Sequence, residues 1–141
     1  MSSMAMKRAV LATGVRSAGG RPYSPALRCG DFVFVSGQVP IDGEGRTVGH
    51  GDILAQGRQA LENVRALVEA AGGTMDDVCF LSLYVTDIRN YHRFGELRRE
   101  YFHDPFPAST VIGVTGLAEP DWLVEIEAIA YIPESRVQRS T

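Results

Sequence analysis

The sequence predicts an α+β fold, and three observations carry the prediction. A long helical stretch sits near the middle of the chain, and short segments rich in β-branched and aromatic residues pair up at both ends. A second, shorter helical stripe separates the later strands. Helices and strands are mixed rather than strictly alternating, which favours α+β over a doubly wound parallel sheet.

The elements follow in order. KRAVLA, 7–12, reads as a short first strand, and the Gly/Pro/Ser-rich stretch 14–26 as irregular. LRCGDFVFVSGQVPI places a tight turn at Gly30-Asp31, between a short strand and the Val/Phe-rich DFVFVSG. Residues 40–51 form a glycine-rich loop. In 52–73, Leu54, Gly57, Leu61, Val64, Val68 and Ala71 recur at the helical period. Asp52 suits the N-cap and Gly72 the C-terminal stop. Gly57 inside that helix predicts close packing against it, since glycine there is otherwise unfavourable. VCFLSLYVTD, 78–87, reads as a strand. Residues 90–104 read as a second helix that stops before Pro105, with Tyr91, Phe94, Leu97 and Tyr101 on one stripe. ASTVIGV, 108–114, and WLVEIEAIAYI, 122–132, complete the order β-β-β-α-β-α-β-β.

The 141 residues suit a single domain spanning 1–141, with 1–6 and 134–141 expected to be flexible ends. Apolar residues make up 45% and charged residues 22%, an ordinary globular balance. The net charge of −3 and the lack of a basic stripe disfavour a nucleic-acid partner. No apolar run is long enough for a membrane span, and the N-terminus does not read as a signal peptide. Cys29 and Cys79 are expected as free thiols in a reducing cytoplasm.

Metal and hydrolase signatures are weak. His50, His92 and His103 are scattered, with no HxxxH or CxxC spacing, so no metal or cofactor is predicted. Ser36, Ser82 and Ser109 lie outside any GxSxG elbow.

The chemistry concentrates in VEIEAIA, 124–130. Alternation along a strand puts Leu123, Glu125, Glu127, Ile129 and Tyr131 on one face. Val124, Ile126, Ala128 and Ala130 share the other face, which must pack on the helices. The two acids therefore either meet water or neighbouring arginines, or line a cleft covered by a partner subunit. Burial beside a like charge would raise a carboxyl pKa and suit it to proton transfer.

RPYSPA (21–26), FVFVSGQVPID (32–42), QALENVRALVEAAGG (59–73) and FPAST…LVEIEAIA (106–130) together resemble the YjgF/RidA family of enamine/imine deaminases, often labelled endoribonuclease L-PSP or translation initiation inhibitors. The resemblance implies a chorismate-mutase-like fold, a mixed sheet packed by two helices. It further implies a homotrimer with small-molecule clefts between subunits. By position, it implies Glu125 as the water-handling catalytic acid and Tyr23, Ser36, Gly37 and Gln38 as substrate-binding residues. Ser109, Thr110 and Val111 occupy the strand from which the deaminases grip the substrate. There the family arginine is replaced by Ser109 and its cysteine by Val111. Arginine holds a carboxylate by two parallel bonds that serine cannot copy. The resemblance thus leaves open a deaminase-like hydrolase for a substrate other than 2-aminoacrylate-type imines, a trimer that binds a metabolite without turnover, and, less favoured, an endoribonuclease. Arg21, Arg28, Arg98 and Arg99 are candidates to supply the missing cation.

Overall fold

The computed structural model describes residues 6–139. Residues 1–5 and 140–141, part of the ends expected to be flexible, lie outside that range. Six strands form one mixed sheet: β1 (Lys7–Val10), β2 (Ala26–Cys29), β3 (Phe32–Gln38), β4 (Val78–Val85), β5 (Ala108–Gly113) and β6 (Val124–Tyr131). Their spatial order is β1-β2-β3-β6-β4-β5. Neighbours run antiparallel except β4 and β5, which are parallel. A parallel pair needs a crossover. Here it is a 3-10 turn, Ile88–Arg93, followed by α2, Phe94–Tyr101.

The helix predicted over 90–104 is therefore shorter. Asp87 caps the 3-10 turn by accepting from the Arg89 amide at 3.0 Å, which tightens the backbone before the α-helical stretch begins. At the other end Phe102 turns extended and buries its ring in the core. The strand predicted over 7–12 likewise ends at Val10.

Helix α1, Ile53–Ala70, is capped by the Asp52 carboxylate, which accepts from the Ala55 amide at 3.1 Å. It stops at Gly72, whose φ of +96° suits glycine. The Gly72 amide donates to the Glu69 carbonyl and the Gly73 amide to that of Val68, the Schellman pattern. Gly57 has the packing role expected of it. A β-carbon there would lie 2.5 Å from Leu97 Cδ2, so glycine lets α2 seat against α1.

The core lies between these helices and one face of the sheet. Val33 and Val35 of β3, Leu81 and Leu83 of β4, and Val124, Ile126, Ala128 and Ala130 of β6 meet Leu61, Val64, Leu67, Phe94 and Leu97. The small apolar face read from VEIEAIA is the one that packs. On the open face Phe32, Phe34 and Tyr131 remain exposed, and the rings of Phe32 and Tyr131 meet edge-on at 5.2 Å.

Two buried amides on α1 fasten loops to this frame. Asn63 Nδ2 donates to the carbonyls of Val39 (3.1 Å) and Ile41 (3.0 Å). Gln56 donates to the carbonyls of Gly49 and Asp121 and accepts from the Leu123 amide at 2.7 Å. They thereby fix the exit of β3 and the entrance of β6. Trp122 packs with Val39 and Ile41, and its indole N–H donates to the Thr47 hydroxyl.

The segment from 134, expected to be a flexible end, contains a helix, α3 (Glu134–Arg139). The Glu134 amide donates to Asp31, and Arg136 pairs with Asp77 at 2.8 Å. No helix among the described residues is long and apolar enough to cross a membrane.

Candidate functional site

The site is built around an irregularity in β3. Val35 pairs with Ala128 and Gln38 with Ile126, so β3 advances three residues while β6 advances two. The extra residue is a β-bulge at Ser36-Gly37. It aims the α-carbon of Gly37 at the open face, where the Glu125 side chain lies. A β-carbon at position 37 would sit 1.9 Å from Glu125 Oε2 and 2.8 Å from its carboxyl carbon. No side chain fits there, so glycine makes room for the acid.

The bulge is fixed by polar contacts. Ser36 Oγ donates to the Ser24 carbonyl at 2.6 Å, and its amide donates to the Pro25 carbonyl at 2.9 Å. Gln38 Nε2 donates back to the Ser36 carbonyl at 3.0 Å. Tyr23, Gly37 and Gln38 then line one notch with Asn63 and Arg16. Its volume is about 20 Å³, near that of a single water and far below that of a substrate. Arg21 stays beside Tyr23, its guanidinium 5.8 Å from the ring centre.

The two acids differ in their bonding. Glu127 accepts a hydrogen bond from the Tyr84 hydroxyl across the β6–β4 ladder. That bond, followed by burial, raises the Tyr84 pKa, so the phenol remains a proton donor. Glu125 has no donor to its carboxylate among the described residues. Burial, and then the negative charge of Glu127, raise its pKa above the ordinary carboxylate value. Glu125 is thus a half-buried acid with lone pairs free for a ligand or water.

The chain does not bring Ser109, Thr110 and Val111 to Glu125. Ser109 pairs with Leu81, and Leu81 with Ala128, two strands over and three residues along from the acid. That is a backbone separation of roughly 14 Å at ordinary strand spacings. Ser109 shares the parity of Leu81, on the helix side, and its hydroxyl accepts from Arg98 Nη1 at 3.3 Å. Val111 packs against the core. Thr110, in the row of Ser82 and Glu127, faces the open side and is exposed.

Among the candidate cations, Arg28 must be set aside. Its guanidinium is buried and donates to the carbonyls of Gly30, Ala71 and Ile132 at 2.7–2.9 Å, tying β2 to the ends of α1 and β6. Arg98 and Arg99 remain on the surface of α2 near Ser109. Sequence reasoning missed Arg16 and Tyr84. Strand parity places Tyr84 on the same face as Ser82, but only the register sets it opposite the acids. Arg16 sits in an irregular loop with no periodic signal. Cys29 and Cys79 are both free thiols. No cluster of three or more His, Cys, Asp or Glu is placed to hold a metal among the described residues.

Residues 14–132 match the family described as Endoribonuclease L-PSP. A RutC family protein of Pyrococcus horikoshii is 43% identical over 110 residues, covering 78% of this chain and 86% of the relative. A Yersinia pestis protein, YyfA, described as of unknown function in the conserved Rid family, is 34% identical with a TM-score of 0.83, covering 89% of this chain and 99% of its own. TdcF of E. coli, solved with bound serine, is 31% identical with a TM-score of 0.78, covering 88% of this chain and 98% of its own. The RidA of a Psychrobacter species is 32% identical with a TM-score of 0.81, covering 89% of this chain and 99% of its own. The chain therefore belongs to the Endoribonuclease L-PSP family, which includes the YjgF, RidA and RutC proteins.

Proposed function

We propose that this protein is a cytoplasmic, deaminase-like hydrolase of an enamine or imine, working in clefts between the subunits of a homotrimer. The observation that carries the reading is Glu125: a half-buried acid with a raised pKa and no donor among the described residues, seated over Gly37, whose notch Tyr23 lines. A raised pKa makes the ionised carboxylate a stronger base toward water.

In the first step the Glu125 carboxylate takes a proton from a water molecule. The water oxygen bonds to the carbon of a protonated C=N group, whose π pair moves to nitrogen. The carbinolamine then receives that proton on nitrogen from Glu125. The carboxylate next removes the hydroxyl proton as C=O forms and the C–N bond breaks. Glu125 finally returns that proton to the departing ammonia, which leaves as ammonium. Tyr23, Ser36 and Gln38 line the acid's side, and Ser109 and Thr110 offer hydroxyls from a neighbouring β5. With Ser109 in place of arginine, 2-aminoacrylate-type imines are poor substrates.

The trimer is supported by two features. The notch beside Gly37 is too small to hold a substrate within one chain. The open face also leaves Phe32 and Phe34 each 44% exposed beside Tyr131, an apolar surface that a neighbour would cover.

The test is Glu125→Gln, assayed on a panel of imines derived from amino acids. Loss of about 10²–10⁴-fold in turnover is expected of a general base, with the trimer mass unchanged by light scattering. Unaltered rates would remove Glu125 from the chemistry. Ligand-induced melting shifts without turnover in the wild type would favour a binding protein, a reading supported by the serine bound in TdcF.

A further inference from the structure

Six of the thirteen arginines of this chain are matched to carboxylates among the described residues. Arg8, Arg46, Arg58, Arg65, Arg89 and Arg136 each pair with an Asp or Glu. Arg98 and Arg99, adjacent in the last turn of α2, are not so matched among the described residues. They flank an open cleft of about 170 Å³ with Gly95, Phe106 and Pro107. Among the described residues the Arg98 guanidinium donates only to the Ser109 hydroxyl, at 3.3 Å, which leaves most of its N–H groups unused. The Phe106 ring is 47% exposed at the same cleft.

We infer that this cleft is an anion subsite, in which Arg98 and Arg99 hold the carboxylate of a small organic acid while Phe106 and Pro107 cover its apolar part. A guanidinium presents its donors as a planar fork that matches a carboxylate by two parallel bonds. Ser109 contributes by orienting that fork: its hydroxyl accepts one N–H and points the remaining donors into the cleft. None of the residues lining the cleft is an Asp or Glu. A β-carbon added at Gly95 would lie 3.6 Å from Arg99 Nη1, an ordinary contact, which places that guanidinium over the cleft floor. The inference names a substrate class for the clefts proposed above and rests on that reading. It places the carboxylate on α2 rather than on β5, so the accepted substrate differs from 2-aminoacrylate in where its acid group is held.

The experiment separates binding from turnover by using propionate and propionamide, which share a shape and differ in charge. Each is titrated into the intact protein while amide and arginine Nε signals are followed by NMR. Propionate should shift signals of residues 95–99 and 106–109 saturably, and propionamide should not. Arg98→Gln should weaken propionate binding at least tenfold, Arg99→Gln by less, and Arg136→Gln not at all. Equal binding of the two probes, or unchanged propionate affinity in an Arg98→Gln, Arg99→Gln double variant with native spectra, overturns the inference. Glu125→Gln distinguishes the two readings. Propionate shifts preserved in that variant support the anion subsite, whether or not turnover of imines is lost with the acid.

Discussion

Gly37→Ala tests the contact on which the acid's position depends. The added β-carbon would fall 1.9 Å from Glu125 Oε2, 2.8 Å from Cδ and 3.0 Å from Cγ, so both cannot keep their places. The backbone of the bulge is pinned by Ser36 and Gln38, whereas the carboxyl is the far end of a flexible side chain with no donor among the described residues. Glu125 therefore yields. Moving it off its rotamer costs about 0.5–1.5 kcal/mol, a melting-temperature loss of roughly 2–6 °C for a domain of this size. Turnover should fall far more, by about 10²-fold, because a misplaced base loses its reach to the attacking water. The assay is a paired one: calorimetric melting of the variant, and its imine turnover against pH. A variant that melts as expected but keeps full turnover would refute the argument, since the acid would then act from somewhere other than above Gly37. A variant that fails to fold would show that the bulge, not the carboxyl, is the softer partner.

Two further outcomes follow from the same geometry. Glu127→Gln removes the like charge that, after burial, raises the Glu125 pKa. Turnover needs the ionised form, so the rising acid limb of the pH–rate profile should move to lower pH; a limb that stays in place means that Glu125 does not sense the charge of Glu127. Arg28→Met strips three carbonyls of their donor, two of them in buried bonds, and should lower unfolding free energy by about 2–5 kcal/mol in denaturant titration. Retention of wild-type stability would contradict the structural role assigned to that arginine.

The strand face of VEIEAIA was legible because alternation is a local property: each residue's side follows from its neighbours' positions. Gly57 and Gly72 were legible for a similar reason: a glycine on the helical stripe demanded a packing contact, and one just past its end a stop. The family match likewise followed from motifs in order along the chain. What alternation could not supply was register. The bulge at Ser36-Gly37 shifts β3 by one residue against β6, and only that shift brings Gly37 under Glu125. Tyr84 meets Glu127 for the same cross-strand reason. Arg28 reads as a surface cation in LRCGD, yet its burial comes from β2 lying beside the carbonyl ends of α1 and β6, which are distant in sequence. The 3-10 turn before α2 was hidden because Asp87 sets its cap outside the hydrophobic stripe.

These contacts give two acids in one strand separate parts. Glu127 is committed: the Tyr84 hydroxyl occupies it, and the raised pKa of that phenol keeps the donor in place at neutral pH. A carboxylate so held has an oxygen already occupied and is ill placed to receive a passing ligand. Glu125 stands two residues away with no donor among the described residues, and burial, then the charge of its neighbour, make giving up a proton harder. Covering the open face with a neighbouring copy would remove more water from Glu125 and push its pKa further in the same direction, while Glu127 would keep its phenol. Assembly would then strengthen the base as well as enclose the substrate, which ties the exposed aromatic face and the candidate acid to one physical cause.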